Sequence, residues 1–343
     1  MASRGLTPRR YWGIIPPMPA PIVKALAEQA EAQGLEGLFG VQVYGLPWIP
    51  LAAAAVATQR IQLASGIAIA ATRSPFETAL AAIDLDRLSG GRFTLGLGAS
   101  VQAWTRGVYG APEHKPLTHL RETVAAVRHI IRGAHRGLTP FEGQYYRADF
   151  SEWQPSPPPL REEIPVWIAA LRGRAVQLAA EIGDGVMGHP MWSIDWAVER
   201  IQPDLRAGLA RGGRKREEVE LNLWLWCAPN SDEAEAIEDS RATVAFYAGV
   251  KQYESFFEAH GFRDEARRLQ EYVQKREVIP NARLVPDEMV RTFVLCGKPE
   301  ALQERVERAW TVADSLCLVS PAYGLPTEKL AYYAGETAKL FYE

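Results

Sequence analysis

The sequence predicts an α/β fold with parallel strands, specifically a (β/α)8 TIM barrel with insertions. Short apolar segments typical of buried strands alternate with helical segments along the chain. Several helices end on a glycine, and an apolar strand begins two to four positions later, as after Gly34, Gly91 and Gly183. A doubly wound sheet would show the same alternation, but the predicted strands number eight, which favours the barrel.

The first half of the chain shows this pattern most clearly between residues 61 and 102. An apolar, β-branched run at 61–70 predicts a buried strand, and Ser74-Pro75-Phe76-Glu77 has the N-cap, proline and glutamate of a helix start. Gly90-Gly91 predicts the end of that helix in left-handed backbone conformations. The predicted elements are strand 12–15, helix 21–33, strand 38–43, helix 48–58, strand 61–70, a helix from 75 to the glycine pair, strand 93–98 and helix 117–132.

The second half continues the alternation around two insertions. Residues 137–159 change periodicity and end in a proline-rich segment, which predicts a hairpin insertion. The helical segment 231–277 is longer than one barrel helix needs, so a helical insertion is predicted at about 245–290 within a single domain, 1–343. The remaining predicted elements are strand 165–171, helix 175–182, strand 186–189, helix 194–211, strand 219–228, helix 286–310, strand 314–320 and a C-terminal helix.

Composition and charge exclude several classes of partner. The 343 residues include 38 Lys and Arg against 41 Asp and Glu, a formal charge of −3, which gives no basic surface for nucleic acid. No apolar run reaches the roughly 18 residues of a membrane span, so we expect no membrane partner and a cytoplasmic location. The three cysteines are scattered and odd in number, which suits a reducing compartment and argues against a disulfide framework.

Glycines mark one candidate site, because the reacting groups of a (β/α)8 barrel lie at the C-terminal ends of its strands. Gly96 and Gly98 are at that end of the fourth strand. The missing Cβ atoms would let a flat ring approach the backbone, or would simply permit tight packing, and spacing alone does not separate these interpretations. Gly90-Gly91 precedes its strand, so we interpret that pair as a helix end rather than a phosphate loop.

The turn after the fifth strand predicts an anion site. It contains two arginines and a glycine and opens directly into a helix, whose N-terminal N–H groups favour a negative charge. A phosphate on a cofactor is the natural ligand, and solvated surface arginines are the alternative. The turn comprises Ala169, Ala170, Leu171, Arg172, Gly173 and Arg174.

Single side chains at two other strand ends are candidates for catalysis. His189 ends the sixth strand and could exchange a proton, although a lone histidine is often structural. Tyr44 follows the second strand and could donate a proton to a substrate oxygen. Trp48 could wall a planar ring or pack in the core, and with Trp104 and Trp192 it predicts an apolar substrate pocket. The other five histidines lack metal-ligand spacing, so we predict no metal site.

The motif LDRLSGGRFTLGLG, preceded by TRSP, resembles the signature of the luciferase-like flavin and deazaflavin oxidoreductases. The stretches FEGQYYR, PVWIAA, GDGVMGHP and AFYAGVKQYESFFEAHG extend the resemblance across most of the chain and are most similar to the F420-dependent branch. The resemblance implies a TIM barrel that binds coenzyme F420, or FMN as the alternative. It also implies a homodimer packed through barrel helices.

The resemblance further implies which residues hold the cofactor. In such proteins a bulge in the third strand contains a non-prolyl cis peptide that presses against the deazaflavin ring, and it corresponds here to Gly66-Ile67. Several relatives have an acidic residue and a histidine where this chain has Val43-Tyr44, so a histidine-assisted sugar-phosphate dehydrogenase mechanism is not expected. The implied cofactor-binding residues are Gly66, Ile67, Arg73, Gly98, Ser100, Ala169, Ala170, Leu171, Arg172, Gly173, Arg174 and His189.

The leading functional hypothesis is therefore a two-electron oxidoreductase. Reduced F420 would deliver a hydride from its C5 to an unsaturated carbon of an apolar organic substrate, and Tyr44 or His189 would supply a proton. The first alternative is an FMN-dependent monooxygenase of the same fold. The second is a barrel paralogue without catalytic activity.

Overall fold

A computed structural model describes residues 9–43 and 45–343. Their contacts divide the chain into two compact units. The N-terminal unit consists of Trp12–Met187 and Pro203–Leu221, and the C-terminal unit consists of residues 9–11, Gly188–Gln202 and Asn222–Glu343. Over the described residues, no helix combines the length and the apolar character needed to cross a bilayer.

The N-terminal unit contains a parallel sheet with the strand order β1-β2-β3-β5-β8-β9, in which β4 pairs with β5. Helices follow most of these strands, as the sequence predicts. Its elements, some shared at their ends with the other unit, are β1 (Tyr11–Ile15), α1 (Ala20–Ala32), β2 (Gly37–Gly40), α2 (Trp48–Ala57), β3 (Gln62–Ser65), β4 (Ala68–Ile69), α3 (Pro75–Ser89), β5 (Phe93–Gly98), α4 (Gln102–Thr105), α5 (Pro116–Gly133), β6 (Phe141–Glu142), β7 (Arg147–Ala148), β8 (Val166–Ala170), α6 (Gly173–Ile182), β9 (Gly185–Gly188) and α7 (Ile201–Gly212).

Helix α3 begins and ends as its sequence predicts. The Ser74 hydroxyl accepts a hydrogen bond from the Glu77 N–H at 3.0 Å, and Pro75 occupies the first helical position. Gly90 and Gly91 have φ angles of 67° and 84°, a left-handed conformation that glycine adopts without steric cost. The glycine pair is therefore a helix end, and the phosphate-loop alternative is not needed to explain it.

The third strand is not the continuous strand predicted at 61–70, because a bulge divides it into β3 and β4. Ala64 is opposite Thr94 on β5, whereas Ala68 is opposite Leu97. The four residue steps from Ala64 to Ala68 therefore lie opposite only three steps on β5. The bulged strand contains one extra residue, which interrupts the ladder of hydrogen bonds between the strands. The cis peptide expected at Gly66–Ile67 is present within this bulge.

The second strand is also shorter than predicted, since β2 ends at Gly40 rather than at residue 43. A Cβ on Gly40 would lie 2.7 Å from the Pro47 carbonyl oxygen, so the incoming helix α2 occupies that space. Gln42 turns inward after the strand ends and is 6% exposed. This turn makes Gln42 available to the neighbouring bulged strand.

Aromatic side chains and glycines fill the core of the N-terminal unit together. The Trp12 ring lies 4.5 Å from the Phe39 ring and 5.1 Å from the Trp167 ring, measured between centroids. A Cβ on Gly37 would lie 2.4 Å from Trp12, and one on Gly185 would lie 2.5 Å from Trp167. These two glycines therefore make room for the large rings.

Within the segment 137–159, where the sequence predicts a hairpin insertion, β6 and β7 form an antiparallel pair. Glu122 on α5 holds its turn, because its carboxylate accepts the backbone N–H groups of Gln144, Tyr145 and Tyr146 at 2.7, 2.7 and 2.6 Å. Bonds from backbone donors to a carboxylate are among the stronger hydrogen bonds in proteins. The insertion is therefore tied to the unit from which it projects.

The C-terminal unit contains a second run of parallel strands, with β10 between β11 and β12. Most of the segment predicted to be helical at 231–277 is confirmed as helix. Its elements are β10 (Glu220–Pro229), α8 (Glu233–Ala248), α9 (Glu254–Ala259), α10 (Arg263–Gln270), α11 (Asp287–Phe293), β11 (Val294–Gly297), α12 (Pro299–Ala309), β12 (Ser315–Val319) and α13 (Thr327–Phe341).

The segment 286–310, predicted as further helix, is helical in α11 and α12, but the prediction is wrong between them, where strand β11 lies. Val294 to Gly297 pairs in parallel with Trp226 to Pro229 at the end of β10. An apolar run of three residues is too short for its periodicity to distinguish a strand from a buried helix turn. Pairing with a strand nearly 70 positions earlier decides its conformation.

Candidate active site

The bulge between β3 and β4 leaves an accessible surface between two fully buried residues of the strand. Gly66 and Ile67 are half-buried, whereas the flanking Ser65 and Ala68 are completely buried. A Cβ on Gly98 would lie 2.1 Å from Ile67 Cδ1 and 3.4 Å from Ala169 Cβ, so these side chains adjoin. We call Gly66, Ile67, Gly98 and Ala169 the bulge platform. It lies at the C-terminal ends of parallel strands, where the sequence predicts cofactor contacts.

Of the two interpretations left open for Gly96, the structure supports tight packing. A Cβ on Gly96 would lie 1.7 Å from the Ser65 carbonyl oxygen, a distance that no side chain tolerates. The Ser65 hydroxyl donates to the Gly96 carbonyl at 2.8 Å and accepts from the Gly96 N–H at 2.9 Å. This pair of bonds replaces the ladder where the bulge interrupts it.

Gln42, which the sequence analysis missed, connects the bulged strand to Arg73. Its Oε1 accepts the Ile69 N–H at 2.9 Å and a guanidinium N–H of Arg73 at 3.2 Å. Arg73 lies over the Trp48 ring, 5.3 Å from its centroid, in a cation–π contact. Burial lowers the pKa of Arg73 from its ordinary value, and no carboxylate of the described residues forms an ion pair with it.

Three other residues predicted to belong to the site are Tyr44, Ser100 and Trp104. Tyr44 lies outside the described residues. Ser100 follows β5 on an exposed turn with a φ of 57°, and Trp104 on α4 is half-buried with its ring 6.4 Å from that of Tyr109. Both positions leave these side chains accessible to a ligand.

The turn predicted to bind an anion is present between β8 and α6. Arg172 is the N-cap residue, and Gly173 and Arg174 open the helix, whose first N–H groups have no acceptor within the helix itself. Asp204 is not among the residues predicted from the sequence, and its Oδ2 would lie 2.3 Å from a Cβ on Gly173. Gln177 holds this carboxylate through a 2.6 Å bond to Oδ1. The turn therefore combines two arginines with a fixed carboxylate.

In the C-terminal unit, His189 lies between two tyrosines of the helical insertion. Its Nδ1 accepts the Met191 N–H at 3.1 Å, and its Nε2 is 3.2 Å from the Tyr253 hydroxyl. The rings of Tyr247 and Tyr253 are nearly perpendicular to the imidazole at 5.3 and 5.2 Å. Because Nδ1 accepts, the neutral ring carries its hydrogen on Nε2 and donates it to Tyr253.

Further aromatic rings extend this group across the ends of β10 and β12. The Tyr247 ring is 6.1 Å from that of Trp226 and 6.0 Å from that of Tyr323. We call His189, Tyr247, Tyr253, Trp226 and Tyr323 the tyrosine cluster. Tyr247 and Tyr253 are not among the residues predicted from the sequence, although both lie in the stretch AFYAGVKQYESFFEAHG, whose aromatic content was the available signal.

Trp192, predicted to line the substrate pocket, is placed in the core. It is 1% exposed, and a Cβ on Gly188 would lie 2.7 Å from its ring. Its ring therefore fills the space beside Gly188, which is a packing role.

We expect the burial of His189 to make the protein acid-labile. Burial lowers the pKa of His189 to about 3 from the ordinary value of 6.5. Between about pH 6.5 and pH 3, His189 is therefore protonated in the unfolded chain but neutral in the folded chain. Because the unfolded state binds more protons in this window, the free energy of unfolding falls as the pH decreases across it. Urea titrations of the wild type and His189→Gln should show a shallower pH dependence for the variant; identical slopes would contradict the expectation.

The chain is similar to known proteins in sequence and in fold. The family model for luciferase-like monooxygenase matches residues 8–313. A Mycobacterium tuberculosis protein named as a "putative coenzyme F420-dependent oxidoreductase" is 31% identical over 332 residues, which cover 91% of this chain and 93% of the relative.

Solved structures establish the fold class. The coenzyme F420-dependent tetrahydromethanopterin reductase of Methanopyrus kandleri superposes with a TM-score of 0.79 at 24% identity, covering 96% of this chain and 97% of that one. The FMN-bound oxygenating component of 3,6-diketocamphane monooxygenase from Pseudomonas putida has a TM-score of 0.67 at 14% identity, covering 97% of each chain. The predicted α/β fold, a (β/α)8 TIM barrel, is confirmed.

Proposed function

Because the chain belongs to the luciferase-like monooxygenase family, we propose that it is an F420-dependent oxidoreductase that transfers a hydride between C5 of the deazaflavin and an apolar organic substrate. The similarity to the mycobacterial relative named for coenzyme F420 spans nearly the whole chain, which favours the deazaflavin over FMN. The observation that carries the proposal is the bulge platform, a half-exposed apolar surface at the C-terminal ends of parallel strands.

The residues present fit such a cofactor. A flat ring needs an apolar surface without protruding side chains, and the backbone of Gly66 together with Ala169 offers one. A phosphate on the cofactor tail needs cationic and N–H donors, which the turn at Arg172 and Arg174 supplies. Arg73 adds a positive charge without an ion-pair partner among the described residues.

When bound in its reduced form, the deazaflavin supplies a hydride. The chain's own residues hold and shield the reactants. The bulge platform would fix the plane of the ring, and Gln42 would aim Arg73 at an electron-rich atom of the cofactor or substrate. Trp48 and Trp104 would exclude water from an apolar substrate, which strengthens every electrostatic interaction in the site.

Titration with each cofactor tests the proposal. Purified protein should quench the fluorescence of oxidised F420 in a saturable manner and should bind FMN weakly. The double substitution Arg172→Ala and Arg174→Ala should weaken F420 binding by about tenfold or more, since charge-assisted bonds to a phosphate would be lost. Arg147→Ala, at a highly exposed arginine of the hairpin, is the matched control and should leave binding unchanged.

Two other outcomes would replace the proposal. Tight binding of FMN without F420 binding would indicate the flavin-dependent monooxygenase. Binding of neither cofactor would indicate a barrel paralogue without catalytic activity.

A homodimer packed through α1 and α2 is the second part of the proposal. Helix α2 has no charged side chain, yet Ile49 and Val56 are 69% and 68% exposed on one face of it. Ile22 and Leu26 on neighbouring α1 are 42% and 38% exposed and lie one helical turn apart. A helix that is apolar all round is normally buried, so a second copy of this chain is the expected cover.

We expect the wild type to be dimeric in light scattering coupled to size exclusion, and Val56→Asp to be monomeric. A charge at that position would have to be buried without a partner in the dimer. Val108→Asp is the matched control, because Val108 is similarly exposed at 65% but lies outside the two helices. A monomeric wild type, or a dimeric Val56→Asp variant, would contradict this interface.

A further inference from the structure

We propose that Arg73 is a specificity-determining residue that binds a carboxylate of the substrate, and that the substrate is a flat apolar molecule with a single carboxylate group. This inference rests on the proposed function, which leaves both the cofactor and the substrate as partners of Arg73. All the residues that carry it lie within the N-terminal unit.

Arg73 lies beside the bulge platform and is half-buried. Ile69 on β4 is the register partner of Gly98, which belongs to the platform. Gln42 Oε1 accepts the Ile69 N–H at 2.9 Å and a guanidinium N–H of Arg73 at 3.2 Å. Two hydrogen bonds therefore connect Arg73 to the bulged strand, and a group bound by Arg73 lies at the edge of the platform.

The Gln42 amide holds Arg73 in one orientation. Because the Ile69 N–H can only donate, the amide presents its oxygen to that strand and to the guanidinium. The amide nitrogen donates to Thr72 Oγ1 at 3.3 Å, and the Thr72 hydroxyl donates to the Ile69 carbonyl at 2.9 Å. Turning the amide over would break these bonds. The guanidinium is therefore positioned before a ligand arrives, which lowers the cost of binding one.

The charge of Arg73 is not balanced by an ion pair with any carboxylate of the described residues. Burial lowers its pKa from the ordinary value, although Glu77 and Tyr109 are near enough to act in the opposite direction. The guanidinium has thus lost part of its hydration without gaining an anion in exchange. A bound anion would restore what burial removes.

A carboxylate is the anion that this position fits. The planar guanidinium presents its N–H groups as a fork that matches the two oxygens of a carboxylate. Gln42 and Trp48 beside it are neutral, so one positive charge faces the ligand, which balances a carboxylate but not a phosphate dianion. In the proposed function the cofactor phosphate already has the turn at Arg172 and Arg174.

Aromatic side chains near Arg73 favour a flat apolar body for the same ligand. The guanidinium lies 5.3 Å from the centroid of the Trp48 ring. Tyr109 is close enough to influence the pKa of Arg73, and its ring is 6.4 Å from that of Trp104. Trp48, Trp104 and Tyr109 are all half-buried, so they offer ring surface to a ligand. An apolar carboxylic acid matches both the rings and the cation.

Calorimetric titration of the protein saturated with oxidised F420 tests the inference, with cinnamate and cinnamamide as probes of similar shape and different charge. The wild type should bind cinnamate about tenfold or more tightly than cinnamamide. Arg73→Met should reduce this ratio to about twofold or less while keeping the wild-type affinity for F420. Arg73→Lys retains the charge without the planar fork, so its ratio should be intermediate. If Arg73→Met does not fold, Arg73→Gln is expected to give the same loss of preference.

Arg106→Met is the matched control. It removes the same charge from the end of α4, where Arg106 is 50% exposed and 3.9 Å from Glu113. Its preference for cinnamate should equal that of the wild type, because an exposed guanidinium is screened by water and salt. An equal loss in Arg106→Met and Arg73→Met would indicate general attraction of anions and would contradict a site at Arg73.

Three further results would overturn the inference. These are equal affinities of the wild type for the two probes, no binding of cinnamate, and a preference for cinnamate that persists in Arg73→Met. Weaker F420 binding by Arg73→Met would also overturn it, since the carboxylate would then belong to the cofactor. Titrations without cofactor separate the two proposals: if the wild type binds no F420 but prefers cinnamate only when Arg73 is present, the proposed function fails and the carboxylate site remains.

Discussion

Gly96→Ala is expected to destabilise the protein by about 3 kcal/mol or more and to abolish cofactor binding, because the new Cβ has no space. It would lie 1.7 Å from the Ser65 carbonyl oxygen, and backbone cannot rotate away as the end of a long side chain can. The β3–β4 bulge or β5 would have to move. Either movement breaks the two Ser65–Gly96 hydrogen bonds and displaces Ile67 from Gly98.

Two other alanine substitutions separate this effect from a general intolerance of glycine replacement. A Cβ on Gly335, in α13, meets nothing within 4 Å, so Gly335→Ala should be neutral or stabilising by up to about 1 kcal/mol. Gly98→Ala should be intermediate, since the nearest atom is the movable end of Ile67. Denaturant unfolding and F420 titration measure both quantities. A Gly96→Ala protein with wild-type stability would contradict the packing described for the bulge.

Local signals were sufficient to predict much of the fold. The capping residues of α3, its glycine stop and the alternation of strands and helices each depend on neighbours within a few positions. The bulge was expected only by resemblance, because an inserted residue shows itself in the register between strands and not in the strand's own sequence.

The missed site residues share one property, which is that their partners are distant in the sequence. Gln42 contacts Ile69, Asp204 lies against Gly173, and Tyr253 contacts His189 across 64 positions. Each of these side chains is polar, and no motif or periodicity in its own segment of sequence distinguishes it from its neighbours. Only the arrangement of the strands within each unit brings it to a partner, so periodicity and motif spacing carry no information about it.

Asp86 is an instructive exception, because its burial could have been read from the helical pattern. Ala79, Ala82 and Ile83 define the buried stripe of α3, and Asp86 is the next position on it. A carboxylate on a buried stripe requires a cation. The sequence does not identify that cation, which is Arg161, at the end of the proline-rich return of the hairpin insertion.

Arg161→Met is therefore expected to cost about 3–5 kcal/mol of stability, by leaving the Asp86 charge buried without a partner. The Asp86 side chain is 1% exposed, and the Arg161 Nε donates to its two oxygens at 3.1 and 3.2 Å. The same guanidinium donates to the Phe93 carbonyl at 2.6 Å, so it also joins the start of β5 to the end of α3.

The matched control is Arg132→Met, because Arg132 forms a two-pronged bond to Glu163 at 2.6 and 2.8 Å with both side chains exposed. Water and salt screen that pair, so its loss should cost less than about 1 kcal/mol. The double variant Asp86→Leu with Arg161→Met should recover part of the stability lost in Arg161→Met alone, since no charge is then left buried. If urea titrations give equal losses of unfolding free energy for Arg161→Met and Arg132→Met, the burial of Asp86 does not determine the cost of breaking its ion pair.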